Sequence, residues 1–157
     1  MSDSISRMAP GRTMTAKTDV SVSEAARLMR MMGIGSLILV DDAQKPTSIV
    51  TDRDLVAKIG TGIDPRATPV AECASPSLIT IARDSKISEA VALMRKHGIR
   101  RVPVVDTAGA LCGMVSMDDV LIQLATDDSG MLADLAEAIR AGARQEHPKA
   151  SAHDRSI

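Results

Sequence analysis

The chain has 157 residues, with 19 basic and 20 acidic side chains, a formal charge of −1 and 45% hydrophobic residues. This balance gives no global attraction to nucleic acid or an anionic membrane, and the lack of Phe, Tyr and Trp removes the usual platforms for stacking bases. No 18-residue apolar run or signal-peptide pattern occurs, so the expected compartment is the cytoplasm, with no membrane partner.

The core must be aliphatic, with ten methionines to fill irregular gaps. Cys73 and Cys112 lack CxxC spacing and read as free thiols. His97, His147 and His153 do not cluster with Cys or carboxylates, so no metal site is expected.

In chain order, residues 1–7 read as polar and loose. A short extended stretch is expected near Thr13–Ala16. A helix follows, opened by a capping box over Ser21–Glu24, with Ala25, Leu28, Met29 and Met32 on one face. Gly33 stops it. Strands are expected at Ser36–Val40 and Ser48–Thr51, joined by a turn at Asp41–Ala43, then a helix over Asp52–Ile59. The Gly- and Pro-rich stretch 60–72 reads as a linker.

The pattern then recurs. Extended residues fall at Leu78–Ile81, and a helix carries Ala90, Leu93, Met94 and His97 on its apolar face before Gly98. His97 takes a methionine's place there and is expected to be partly buried and hydrogen-bonded. Strands at Val102–Val105 and Gly113–Ser116 precede a helix from Met117 to Ala125. A further amphipathic helix is expected over 128–142, with Met131, Leu132, Leu135 and Ile139 on one side, and a disordered tail over 143–157.

The recurrence is a duplication. A shift of 65 residues lays 8–59 on 73–124 without a gap, and 13 of the 33 positions from 23 to 55 are identical. Ser23/Ser88, Leu28/Leu93, Gly33/Gly98, Asp41/Asp106 and Asp54/Asp119 are among them. A lone half of about 60 residues buries too little surface to be more than marginal, so two halves sharing a core are expected.

Three strings mark a family. They are Ser-x-Ser-Glu-Ala-x-x-Leu-Met at the first helix, His97-Gly-Ile-Arg-Arg-Val-Pro-Val-Val-Asp106, and Gly113-Met-Val-Ser-Met-Asp-Asp119. With the linker Gly62-Ile-Asp-Pro65, they resemble a tandem cystathionine-β-synthase (CBS) domain pair, or Bateman module, over about residues 8–125. The resemblance implies an α+β fold of two strand–helix–strand–strand–helix repeats, 8–59 and 73–125, related by a pseudo-two-fold axis and followed here by the extra helix. It also implies a homodimer. Family members commonly bind adenosine-containing ligands in clefts between the halves and regulate an enzyme or transporter.

Thr51-Asp-Arg-Asp54 and Ser116-Met-Asp-Asp119 stand where a strand enters a helix. A helix N-terminus offers free N–H groups and a positive dipole end to a phosphate. The resemblance implies that Thr51 or Ser116 adds a hydroxyl donor and that Asp54 or Asp119 accepts from ribose. The same residues also make an ordinary helix cap, and both readings stand at this point.

The repeats differ most at Arg100-Arg101, where the first has Gly35-Ser36. The resemblance implies phosphate contact by Arg101 and sometimes Arg100. Neighbours in a strand face opposite ways, so at most one of the two is expected at the ligand; a surface ion pair is the other reading. Arg53 could add charge or simply be solvated. Val102 and Pro103 are candidates to hold adenine, and Thr15 and Thr80 are weaker phosphate-side candidates.

These readings lead to a regulatory sensor of an adenine nucleotide (AMP, ADP or ATP) acting on an unknown protein target, with no catalytic cofactor. The alternatives are an S-adenosylmethionine or NAD sensor, and a ligand-free dimerising scaffold. An enzyme is disfavoured, because no nucleophile–base pair, metal cluster or glycine-rich phosphate loop occurs in the sequence.

Overall fold

A computed structural model of the chain describes residues 4–8, 13–75, 77–127 and 137. The first repeat comprises β1 (Thr15–Lys17), α1 (Val22–Met32), β2 (Ser36–Val40), β3 (Pro46–Thr51) and α2 (Asp52–Ile59). The second comprises β4 (Ile81–Ala82), α3 (Ile87–His97), β5 (Arg101–Val105), β6 (Leu111–Ser116) and α4 (Met117–Asp127). Each builds one three-stranded sheet, in the orders β1-β2-β3 and β4-β5-β6. This is the expected α+β repeat. The helix expected over 128–142 and the tail over 143–157 lie outside the described residues, Glu137 apart.

In each repeat the first strand pairs in parallel with the second, because a helix carries the chain back between them. β5 and β6 then run antiparallel, with Arg101 opposite Ser116 and Val102 opposite Val115. The register skips Cys112, since Val104 faces Gly113 while Val105 faces Leu111. Cys112 is therefore the extra residue of a bulge. Its thiol donates to the Val104 carbonyl at 3.4 Å. In the first repeat the Thr47 hydroxyl donates to the Leu39 carbonyl at 3.1 Å, the same pair displaced by 65 residues.

α1 starts where the Ser21 side chain accepts the Glu24 N–H at 3.2 Å. Only this half of the expected capping box is recorded; the Glu24 carboxylate instead lies 3.9 Å from Arg27. α3 begins after Lys86, which makes no side-chain cap because an ammonium has no acceptor. Gly33 (φ 62°) and Gly98 (φ 64°) end α1 and α3 in the left-handed region, where a Cβ would be strained. His97, expected to be partly buried, is exposed, because the last turn of α3 projects its basic residues into solvent.

Each repeat has its own apolar core. Val22, Ala25, Met29, Leu37, Leu39, Val50 and Leu55 form the first; Ala90, Met94, Val102, Val104, Val115 and Val120 lie in the second. The period-2 alternation of β2 and β5 sends Leu37, Leu39, Val102 and Val104 to the helix-covered side.

Two short segments correct the sequence reading. Residues 1–7 were expected to be loose, yet Ile5–Arg7 form a 3-10 turn and Ile5 is fully buried. Stretch 60–72 was expected to be linker throughout, yet Val70–Cys73 form a second such turn and Val70 is fully buried. These turns correspond under the same 65-residue shift, and their assignments are crossed. Ile5 and Met8 belong to the core of the second repeat, and Val70 to that of the first. The Ile5 N–H donates to the Ser85 carbonyl at 3.0 Å, and the Val70 N–H to the Val20 carbonyl at 2.7 Å. Matching bridges join Ser4 to Lys86 and Ser21 to Pro69. Among the described residues there are two compact units: 4–8, 13, 44–46, 79–127 and 137 in one, and 14–43, 47–75 and 77–78 in the other.

Candidate functional site

The two Ser/Thr-x-x-Asp motifs adopt the same geometry. The Thr51 N–H and hydroxyl both donate to Asp54 Oδ2, at 2.8 and 2.6 Å. The Asp54 N–H returns a bond to Thr51 Oγ1 at 3.3 Å. In the second repeat, the Ser116 N–H and hydroxyl donate to Asp119 Oδ2 at 2.8 and 2.6 Å, and the Asp119 N–H donates to Ser116 Oγ at 3.2 Å. Each motif is thus a closed capping box, and the cap reading of these residues holds. The ring uses the hydroxyl proton and one carboxylate oxygen. Asp54 Oδ1 and Asp119 Oδ1 lie outside it, and a carboxylate oxygen there can accept from paired hydroxyls.

The strand before each motif completes the junction. The Met117 N–H donates to the Arg100 carbonyl at 2.8 Å, and the Asp52 N–H to the Gly35 carbonyl at 3.1 Å. Arg101 opens β5 directly across from Ser116 and is half-buried. Arg100 is exposed and its guanidinium lies 3.7 Å from Asp118 Oδ1. The surface ion-pair reading therefore describes Arg100, while Arg101 is placed by the strand register opposite Ser116. Asp118 was not among the sequence candidates. Its signal was its place inside the Ser116-Met-Asp-Asp119 motif, one residue before Asp119.

The remaining candidates separate. Val102 is spent in the core of the second repeat, so its side chain is not on the face of Arg101. Pro103, two residues beyond Arg101, shares that face and is buried. Thr15 opens β1 opposite Ile38 and is half-buried, but Thr80 is exposed and precedes β4, which begins only at Ile81. Arg53 is exposed in the first turn of α2.

Among the described residues no three His, Cys, Asp or Glu side chains group to hold a metal ion, and no helix is long and apolar enough to cross a membrane. Cys73 and Cys112 are free. Burial is the main cause that raises both thiols above their ordinary range, with Lys58 and Arg83 respectively pulling the other way.

Comparison with known proteins agrees with this architecture. The CBS domain profile matches residues 7–61 and again 70–126. An uncharacterised protein of Methanopyrus kandleri is 38% identical over 119 residues, 75% of this chain; the chain spans 61% of that relative's length. The crystal structure of Hypoxic Response Protein I, with two coordinated zinc ions, superposes with a TM-score of 0.68 at 28% identity, covering 74% of this chain and 95% of that one. The cytosolic domain of the Mg2+ channel MgtE, in complex with ATP, gives a TM-score of 0.68 at 28% identity, covering 77% of this chain and 48% of that one.

Proposed function

The chain belongs to the CBS-domain family, and we propose that it is a non-catalytic regulatory module that binds an adenosine-containing nucleotide (AMP, ADP or ATP) and passes a conformational change to a protein target. The observation that carries this reading is the junction of β6 with α4. There Arg101 faces Ser116 across the sheet, and Asp119 keeps one carboxylate oxygen outside its capping ring. A guanidinium fork suits phosphate oxygens, and the carboxylate suits ribose hydroxyls. The ATP complex of the similar channel domain supports the choice of ligand class.

A ligand regulates only if it binds two arrangements of the protein unequally. We assign the protein a homodimeric state in the cytoplasm. Exposed apolar helix residues Val56, Ile59, Val91 and Leu124 support the dimer, and free thiols suit a reducing compartment.

Differential scanning calorimetry with AMP, ADP, ATP, NAD and S-adenosylmethionine tests the reading. At a ligand concentration 100-fold above the dissociation constant, linkage gives about 2.7 kcal/mol of stabilisation. A transition unmoved by millimolar amounts of every ligand would favour a ligand-free scaffold. The closed hydroxyl–carboxylate rings favour that second reading, since both motifs are satisfied without a ligand.

A further inference from the structure

The first repeat closes its helix pair with the chain that follows it. α2 stops at Ile59, and Gly62 (φ 86°) turns the backbone. Residues 63–68 then return along α1. The Ser23 N–H donates to the Pro65 carbonyl at 2.8 Å, and the Val22 N–H to the Thr68 carbonyl at 3.0 Å. Ile63 packs against the first core, in which Val22 is fully buried. The 65-residue shift carries Val22, Ser23, Leu55 and Ile59 onto Ile87, Ser88, Val120 and Leu124. In the second repeat these four line an open apolar groove of about 420 Å3, with Val91 and Arg95 on its wall. Among the described residues nothing there plays the part of 63–68. The N-terminal turn supplies the counterpart of Val70, through Ile5, but Ile87 is only half-buried, and Val91 and Leu124 are 41% and 53% exposed.

The chain leaves α4 in a position to fill that groove. α4 has 11 residues against the 8 of α2, because Ala125 and Asp127 stand where the first repeat has Gly60 and Gly62. The next glycine is Gly130. Asp128-Ser129-Gly130 is long enough to reverse a helix, since such loops take about 2–5 residues. Beyond it, Met131, Leu132, Leu135 and Ile139 share one helical face. Residues 131–141 span about 16 Å as a helix, the same as the 11 residues of α4. Glu137 falls opposite the apolar face, and it is helical and exposed. Asp134 flanks that face, which suits Arg95 on the groove wall.

We propose that residues 131–141 dock as a helix in the groove between α3 and α4 of their own chain, completing the second repeat as residues 63–68 complete the first. The occupant is the chain's own because the first repeat is covered by the residues next after its last helix, and because α4 delivers the chain one turn beyond Leu124. Val56 and Ile59 of α2 then carry the dimer contact proposed above.

Hydrogen exchange on the whole chain tests the docking. Amides of 131–139 should be protected, and Val91→Glu should lower that protection about tenfold or more, the scale of one large apolar side chain left uncovered. α1 and β2 should exchange as before. Val91 lies at the surface, so the fold should survive the change. Leu135→Glu, made on the segment instead of the groove, should have the same effect. Amides of 131–139 that exchange at unstructured-chain rates in the parent, or that neither variant alters, would overturn the proposal. Thiol cross-linking identifies the occupant. In a Cys73→Ser, Cys112→Ser background, a short bismaleimide should join Val91→Cys to Leu135→Cys within one chain, at the 16.5 kDa chain mass. A product of twice that mass would seat a second copy in the groove, and failure to link would leave the groove uncovered. Either result would overturn the proposal.

Discussion

Arg101 stands directly opposite Ser116 in the antiparallel register of β5 and β6, so the guanidinium and the capping hydroxyl rise from the same cross-strand pair. Cross-strand partners lie about 5 Å apart and share one face of the sheet. Arg101→Ala should therefore weaken AMP about tenfold or more, the scale of a charge-assisted hydrogen bond. It should change adenosine affinity little, since adenosine has no phosphate. Titration calorimetry with both ligands separates these outcomes, and an unchanged AMP affinity would take Arg101 out of the site.

Asp119→Asn should act on folding as well as on binding. The carboxylate accepts two bonds from Ser116 that close the cap of α4. The Asn amide oxygen can take the place of Oδ2 only as a neutral acceptor, so two charge-assisted bonds weaken, at a cost of about 0.5–1.5 kcal/mol. A chemical denaturation curve should show that loss without ligand. Affinity for both adenosine and AMP should also fall in titrations run well below the melting point. A variant as stable as the parent would mean that the capping ring contributes little.

Ile5→Ala should destabilise the second repeat, although Ile5 precedes the first in sequence. Ile5 is fully buried among Met94, Val104 and their neighbours. Truncating a buried isoleucine costs about 2–5 kcal/mol. Hydrogen exchange should show protection lost first in α3 and β5. Loss confined to α1 and β2 would contradict the crossed assignment.

The thiols should be slow to alkylate. Burial raises both pKa values, so deprotonation is harder in the folded chain than in the unfolded one. Their contribution to stability is complete below the ordinary thiol pKa and is lost as pH rises through the raised folded value. Iodoacetamide at pH 8 should label the native protein more slowly than the urea-unfolded protein. Equal rates would show the thiols to be freely ionising.

The dimer should be visible in solution. Val91 and Leu124 are exposed beside an apolar groove of about 420 Å3 that is lined by α3 and α4, and Val56 and Ile59 are exposed on α2. Sedimentation at about 50 μM, above typical micromolar dissociation constants, should give twice the 16.5 kDa chain mass. A species at the chain mass would count against it.

The elements with strong local signals were legible in the sequence. β2 and α2 occupy the expected ranges because a continuous apolar run and a capping motif each fix their own ends. The left-handed stops at Gly33 and Gly98 were equally plain. Short elements were less so. β4 has two residues, too few for an alternating pattern, and Thr80 fell outside it. Ile5 was missed because one apolar residue among polar neighbours has no period. Its buried state depends on Ser85 and α3, far along the chain. The signal that existed was its correspondence to Val70 under the 65-residue shift. In the candidate site, the two capping motifs were readable from the repeat. The loss of Val102 to the core and the pairing of Arg100 with Asp118 were not, because each depends on which way a side chain turns at a strand end.

The crossing of the two 3-10 turns bears on what counts as a separable piece of this protein. A cut in the exposed loop at 61–62 would leave Ile5 on the fragment that lacks the second repeat, and Val70 on the fragment that lacks the first. Neither fragment would own a complete core, so each would be a poor folder alone and a natural complement to the other. An autonomous second repeat would have to be built by joining residues 4–8 directly to residue 79, removing the first repeat that separates them in the chain.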